Sequence, residues 1–138
     1  MAYNVIHSFT DSNTLWNDTA TDKLRHDLLK NYDTSARPEH STVATKVQIA
    51  LTLIHIDLDE TRGVLTTNGW LKINWTDSKL SWNPSDYENL ATLHVAAGDV
   101  WQPDLTIYNS ATANLIDHYG KTNTILFNNG LVLWVSSF

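Results

Sequence analysis

Trp70 is a large aromatic side chain set among polar neighbours in the run Trp70-Leu71-Lys72-Ile73-Asn74-Trp75. On an extended strand successive side chains point to opposite faces, so Leu71, Ile73 and Trp75 share one face and Trp70, Lys72 and Asn74 the other. The first set is a core stripe. The second leaves Trp70 two readings: it packs beneath another element, or its indole face is offered to a ligand. A cation would gain most from the ring quadrupole. A second run, Trp101-Gln102-Pro103-Asp104-Leu105-Thr106-Ile107-Tyr108-Asn109, turns Leu105 and Ile107 inward and places Tyr108 on the other face at a strand end, a position suited to a binding phenol. Trp101 and Asp104 read first as scaffold, because proline fixes φ in this turn and aspartate accepts backbone N–H groups.

Catalytic chemistry has little to build on. The six histidines (7, 26, 40, 55, 94, 118) show no short ligand spacing, and no metal or cofactor is expected. There is no cysteine, hence no disulfide, no thiol nucleophile and no thiolate-held zinc. Neither a G-x-S-x-G elbow nor a phosphate-binding loop is present. His55 with Asp57 reads as a half-exposed strand position, and Asp57, Asp59 and Glu60 as a charged strand end. A small β-fold hydrolase using tryptophan-lined carboxylates is the weakest of the readings. With 9 Lys and Arg against 15 Asp and Glu, the net charge of −6 disfavours nucleic acid as a partner.

These side chains need a scaffold, and 138 residues with 42% hydrophobic content suit one domain with a real core. Thr19 and Asp22 fit a capping box, and Leu24, Leu28 and Tyr32 recur at spacing four, which predicts a helix over about 22–31. Arg37-Pro38 closes that region. From Thr42 the period becomes two: Val47, Ile49, Leu51 and Leu53 alternate with polar or small residues, then the phase flips to Ile54, Ile56 and Leu58. Either the strand passes between two layers or a bulge shifts its register. Further strands are predicted at 69–75, 79–82, 91–95, 105–108, 122–127 and 131–135, with Asn128-Asn129-Gly130 turning the last hairpin. One helix followed by many short strands predicts a mainly β sandwich or barrel. No apolar run is long enough for a membrane span, and no secretory signal is visible near Met1.

Several of these residues together resemble a known family. Leu28-Leu29-Lys30-Asn31-Tyr32 with Arg37-Pro38 resembles the amino-terminal helix and turn of the pentameric Cys-loop receptors. Thr66 to Trp70, Trp75-Thr76-Asp77, Leu80-Ser81-Trp82-Asn83-Pro84, Val100 to Asp104 and Tyr108-Asn109-Ser110-Ala111 resemble the nicotinic acetylcholine receptors in particular. The resemblance runs from about Asp22 to Val135. It implies an immunoglobulin-like β-sandwich with an N-terminal helix, the extracellular ligand-binding domain of a receptor on the plasma or synaptic membrane. It also implies assembly with other subunits into homo- or hetero-pentamers, and an aromatic cage between subunits for acetylcholine or a related cationic amine. Tyr108 matches the principal-face tyrosine of loop A, and Trp70 the complementary-face tryptophan of loop D, with Lys72 beside it tuning ligand choice. Ile125, Phe127, Leu133 and Val135 match the apolar complementary contacts of loop E. Trp75, Trp82, Trp101 and Asp104 match structural positions.

The family pattern runs on past Phe138, into the disulfide loop, the loop B tryptophan, the loop C tip and four membrane spans. Residues 1–138 are therefore expected to form a C-terminally incomplete domain, with its helix at about 22–31 and its sandwich over about 42–138. Half the cage is expected to be missing, and the apolar face of Val47, Ile49, Leu51 and Leu53 to lack cover. A truncated receptor subunit is the leading reading. A relative of the secreted acetylcholine-binding proteins, which buffer transmitter, is the second. Asn17-Asp18-Thr19 and Asn74-Trp75-Thr76 are glycan acceptor sequences. Asn17 is the expected site, because a glycan at Asn74 would crowd the face that carries Trp70.

Overall fold

A computed structural model describes residues 19–39, 42–105 and 122–137 of the chain. They form one helix, α1 (Ala20–Leu29), and five strands: β1 (Val47–Asp59), β2 (Val64–Ser81), β3 (Thr92–Ala96), β4 (Asn123–Phe127) and β5 (Asn129–Ser137). Short 3-10 turns occupy Pro84–Tyr87 and Ala97–Asp99. The strands make one antiparallel sheet in the order β1-β2-β5-β4-β3, so the fold is mainly β with an N-terminal helix. These described strands belong to a single layer.

The helix begins where its cap dictates. Thr19 is the N-cap: its hydroxyl accepts the Asp22 N–H at 3.2 Å, while the Thr19 N–H donates to the Asp22 carboxylate at 3.1 Å. Because Asp22 is the third helical residue rather than the first, the helix starts two residues before the sequence estimate and ends at Leu29. Tyr32 lies just beyond it in a turn, yet still packs against the core with Leu28 and the fully buried Leu24.

The core occupies one face of the sheet. Leu71, Ile73 and Trp75 of β2 meet Leu93 and Val95 of β3, Leu126 of β4, and Val132 and Trp134 of β5, all buried. The two strands expected at 69–75 and 79–82 are one long strand. Its register against β5 breaks between Thr76 and Ser81, where the Asp77 carboxylate accepts the Lys79 N–H at 3.0 Å and bends the chain without ending it. β5 comes so close here that a Cβ on Gly130 would sit 2.6 Å from the Asp77 carbonyl oxygen, and Gly130 has φ +83°. Only glycine satisfies both demands.

The phase flip in β1 is a bulge. Leu53 pairs with Gly69 and His55 with Asn68, so Ile54 is the extra residue. Ile56 then falls opposite Thr67 and Leu58 opposite Leu65, which returns both to the face of Val47, Ile49, Leu51 and Leu53. The apolar residues of both halves thus form one stripe, and from Ile49 onward that stripe is about half exposed. Of the strand expected at 105–108, Leu105 lies outside any regular element and the other three residues lie outside the described ones.

The Asp22 carboxyl is held below the usual carboxylate range, first by the Thr19 hydroxyl and then by the Thr19 N–H. Its stabilising contribution is therefore present above that range and lost as pH falls through the lowered value. Thr19→Ala is expected to cost about 1 kcal/mol in urea unfolding at neutral pH. The gap between variant and wild type should narrow as pH falls below the carboxylate range; a gap independent of pH would contradict the capping box.

Candidate functional site

The face of the sheet opposite the core carries Trp70 and the other complementary-face residues singled out with it. Trp70 is 48% exposed on β2, with Thr52 of β1 on one side and Ser137 of β5 on the other. Lys72 lies one step along the same face, between Ala50 and Val135. Asn74 follows, flanked by Gln48 and Leu133, and the row continues through Ile125 of β4 to His94 of β3. Phe127 pairs with Thr92 farther along β4. Because directly paired residues share a face, Trp70, Lys72, Ile125, Phe127, Leu133 and Val135 converge on one surface. The four aliphatic and aromatic side chains of the hairpin are half-buried, while Trp70 and Lys72 are exposed.

This surface combines an indole face, a flat apolar floor and one ammonium group at its margin. An indole attracts a cation, the floor excludes water from its flank, and Lys72 disfavours cations that approach too near it. Leu131, half-buried opposite Thr76, joins the floor; the run from Leu131 to Val135 is apolar at every position, so only the pairing with β2 shows its face. His94 was not legible, because only the pairing of β3 with β4 brings it into the row.

The scaffold residues lie on the other side or in the connecting segments. Trp75 is 2% exposed and meets Trp101 edge-on, with ring centroids 5.8 Å apart and planes at 85°. Trp82 is half-buried; its indole N–H donates to the Leu90 carbonyl at 2.7 Å. Asp104 is exposed. The segment leading from Trp101 is anchored by a half-buried polar group: the Tyr32 hydroxyl donates to Asp77 at 2.6 Å and accepts the Trp101 N–H at 3.2 Å. Burial, and then the hydrogen bond to Asp77, push the Tyr32 phenol above its ordinary range, so it stays a donor at every physiological pH. Arg25 pairs with Asp99, and Tyr87 donates to Asp27 at 3.1 Å, which fastens the helix to both 3-10 turns. Tyr108 and Asn17 lie outside the described residues. Asn74 is half-buried in the middle of the apolar row.

Residues 21–138 match the family described as the neurotransmitter-gated ion-channel ligand binding domain. The chain is similar to the acetylcholine receptor subunit alpha-type acr-16 of Caenorhabditis elegans, with 39% identity over 116 residues, 82% of this chain and 23% of the relative. It is 38% identical over 120 residues to the neuronal acetylcholine receptor subunit alpha-2 of Gallus gallus, covering 84% of this chain and 22% of that one. It is 36% identical over 115 residues to the human neuronal subunit alpha-5, covering 82% and 24%. The chain thus spans about a quarter of the length of these curated relatives, which are receptor subunits and not enzymes; the hydrolase reading falls. Among the described residues no helix is long and apolar enough to cross a membrane.

The two tryptophans of β2 should separate cleanly in stability. Trp75→Ala empties a fully packed site and should cost about 3–5 kcal/mol. Trp70→Ala removes a half-exposed ring and should cost no more than about 1 kcal/mol. Urea unfolding of the two variants checks this, and equal losses would reverse the assignment of the faces.

Proposed function

Because the chain belongs to the neurotransmitter-gated ion-channel ligand-binding domain family, we propose that its Trp70 face is the complementary half of a binding site for acetylcholine or a related cationic amine. The observation that carries this reading is the convergence of Trp70, Lys72, Ile125, Phe127, Leu133 and Val135 on the sheet face opposite the core. Trp70 supplies the electron-rich face for the ammonium, Leu133 and Val135 close the apolar flank, and Lys72 sets a limit on ligand charge and size.

The other half of the cage comes from a neighbour. Tyr108 is assigned to the principal face, where it approaches the Trp70 of an adjacent subunit in a ring of five. In this reading Trp101 and Asp104 hold the entry to the Tyr108 segment, and the chain works on the extracellular side of a plasma or synaptic membrane. A half-site gives little affinity alone, because the cation gains most when rings surround it and water is excluded.

The test is calorimetric titration with acetylcholine of the chain alone, and of the chain mixed with a receptor ligand-binding domain that supplies a principal face. Saturable binding is expected only in the mixture, weakened at least tenfold by Trp70→Ala in this chain. Tight binding by the monomer, or binding in the mixture that ignores Trp70→Ala, would refute the reading.

A further inference from the structure

The bulge in β1 decides which side chain stands beside Trp70. Up to Leu53 the even-numbered residues of β1 lie on the Trp70 face: Gln48 opposite Asn74, Ala50 opposite Lys72, and Thr52 opposite Trp70 itself. Unbroken alternation would continue that row with Ile54 and Ile56. Ile54 is instead the extra residue, so His55 and Asp57 take the next places, opposite Asn68 and Thr66. Both are exposed. His55 is therefore the diagonal cross-strand neighbour of Trp70, and such neighbours lie about 7–8 Å apart, within reach of aromatic side chains.

The charges around Trp70 divide by flank. Lys72, two residues along β2, stands on one side. His55, with Asp57 behind it, stands on the other. Asp59 lies farther along β1, and its carboxylate is paired with Arg62 at 3.2 Å. Lys46 precedes β1 at its far end, and His94 is on β3, with β5 and β4 between it and β2. Across from Trp70 on β5 is the uncharged Ser137. While His55 is neutral, the Asp57 carboxylate draws a cation toward this flank and away from Lys72. Once His55 is protonated it offsets Asp57 and sets a positive charge nearer the indole than the carboxylate is. We propose that His55 is a specificity-determining residue of the Trp70 face, which admits a cationic amine when neutral and rejects it when charged. This rests on the ligand reading of that face and adds the group that makes it sensitive to acid. Histidine is the side chain that ordinarily changes charge between about pH 5 and 8, whereas a quaternary amine such as acetylcholine stays cationic throughout.

The experiment has two readouts on the 138-residue chain as wild type, His55→Gln and His55→Lys. In the chain alone, labelled with 5-fluorotryptophan, the Trp70 resonance should move with pH through one histidine titration, and His55→Gln should abolish that movement. In the mixture with a receptor domain that supplies a principal face, acetylcholine should bind the wild type about three- to tenfold more weakly at acid than at neutral pH, the effect of one charge at this separation. His55→Gln should remove that weakening, and His55→Lys should bind weakly at both; contributions from the partner domain are common to all three chains. A Trp70 resonance that titrates equally in His55→Gln would overturn the proposal, as would an acid weakening that His55→Gln retains in full. Either result leaves Trp70-dependent binding, and so the ligand reading, intact. Absence of acetylcholine binding by the wild-type mixture at every pH would overturn the ligand reading and this inference with it.

Discussion

Side chains on a strand alternate strictly, and β2 carries that rule through the middle of the sheet. Leu71, Ile73 and Trp75 are committed to the core, so Trp70, Lys72 and Asn74 are committed to the opposite face. β2 pairs with β1 on one side and β5 on the other, so its register fixes theirs. Through β5 it also fixes β4, and through β4 the short β3. A slip of one residue in β2 would bury Lys72 and expose Trp75, which neither the core nor water would tolerate. The Trp70 face is therefore a consequence of core formation: burying one set of residues presents the other.

A second constraint holds the peripheral segments to this sheet. Asp77 is fully buried, and its carboxylate is matched by the Tyr32 hydroxyl and the Lys79 N–H. The same Tyr32 oxygen accepts the Trp101 N–H, so one half-buried hydroxyl joins the turn after the helix, the bend in β2 and the start of the segment that leads to Tyr108. Lys79 extends the cluster: its ammonium lies 5.0 Å from the Tyr32 ring centroid and donates to the Ala36 and Arg37 carbonyls at 3.3 and 3.2 Å. A buried carboxylate that lost its donors would be strongly destabilising, which ties these loops to the fold.

Much of this was legible in the residues. The capping box at Thr19 and Asp22, the inward stripe Leu71, Ile73, Trp75 and the turn at Asn128-Asn129-Gly130 each rest on a local rule that the structure obeys. The β1 phase flip announced a bulge, although alternation could not choose between a bulge and a change of layer; pairing with β2 does. Other features exceed local rules. The run Leu131-Val132-Leu133-Trp134-Val135 is apolar at every position, so its period is silent about which residues face the core, and only the family resemblance put Leu133 and Val135 on the binding side. Trp134, buried with its indole N–H on the Thr122 hydroxyl, is hidden by the same uniform run. The continuity of β2 through Asp77 depends on a buried partner 45 residues away in sequence, which no window along the chain contains.

One strand thus separates a core tryptophan from a surface tryptophan. Fluorine NMR of the chain labelled with 5-fluorotryptophan tests it most directly, with each resonance assigned by a Trp→Phe variant and a soluble paramagnetic agent added to report solvent contact. The division of faces predicts strong relaxation enhancement at Trp70 and little at Trp75 and Trp134. Enhancement at Trp75 equal to that at Trp70 would contradict it.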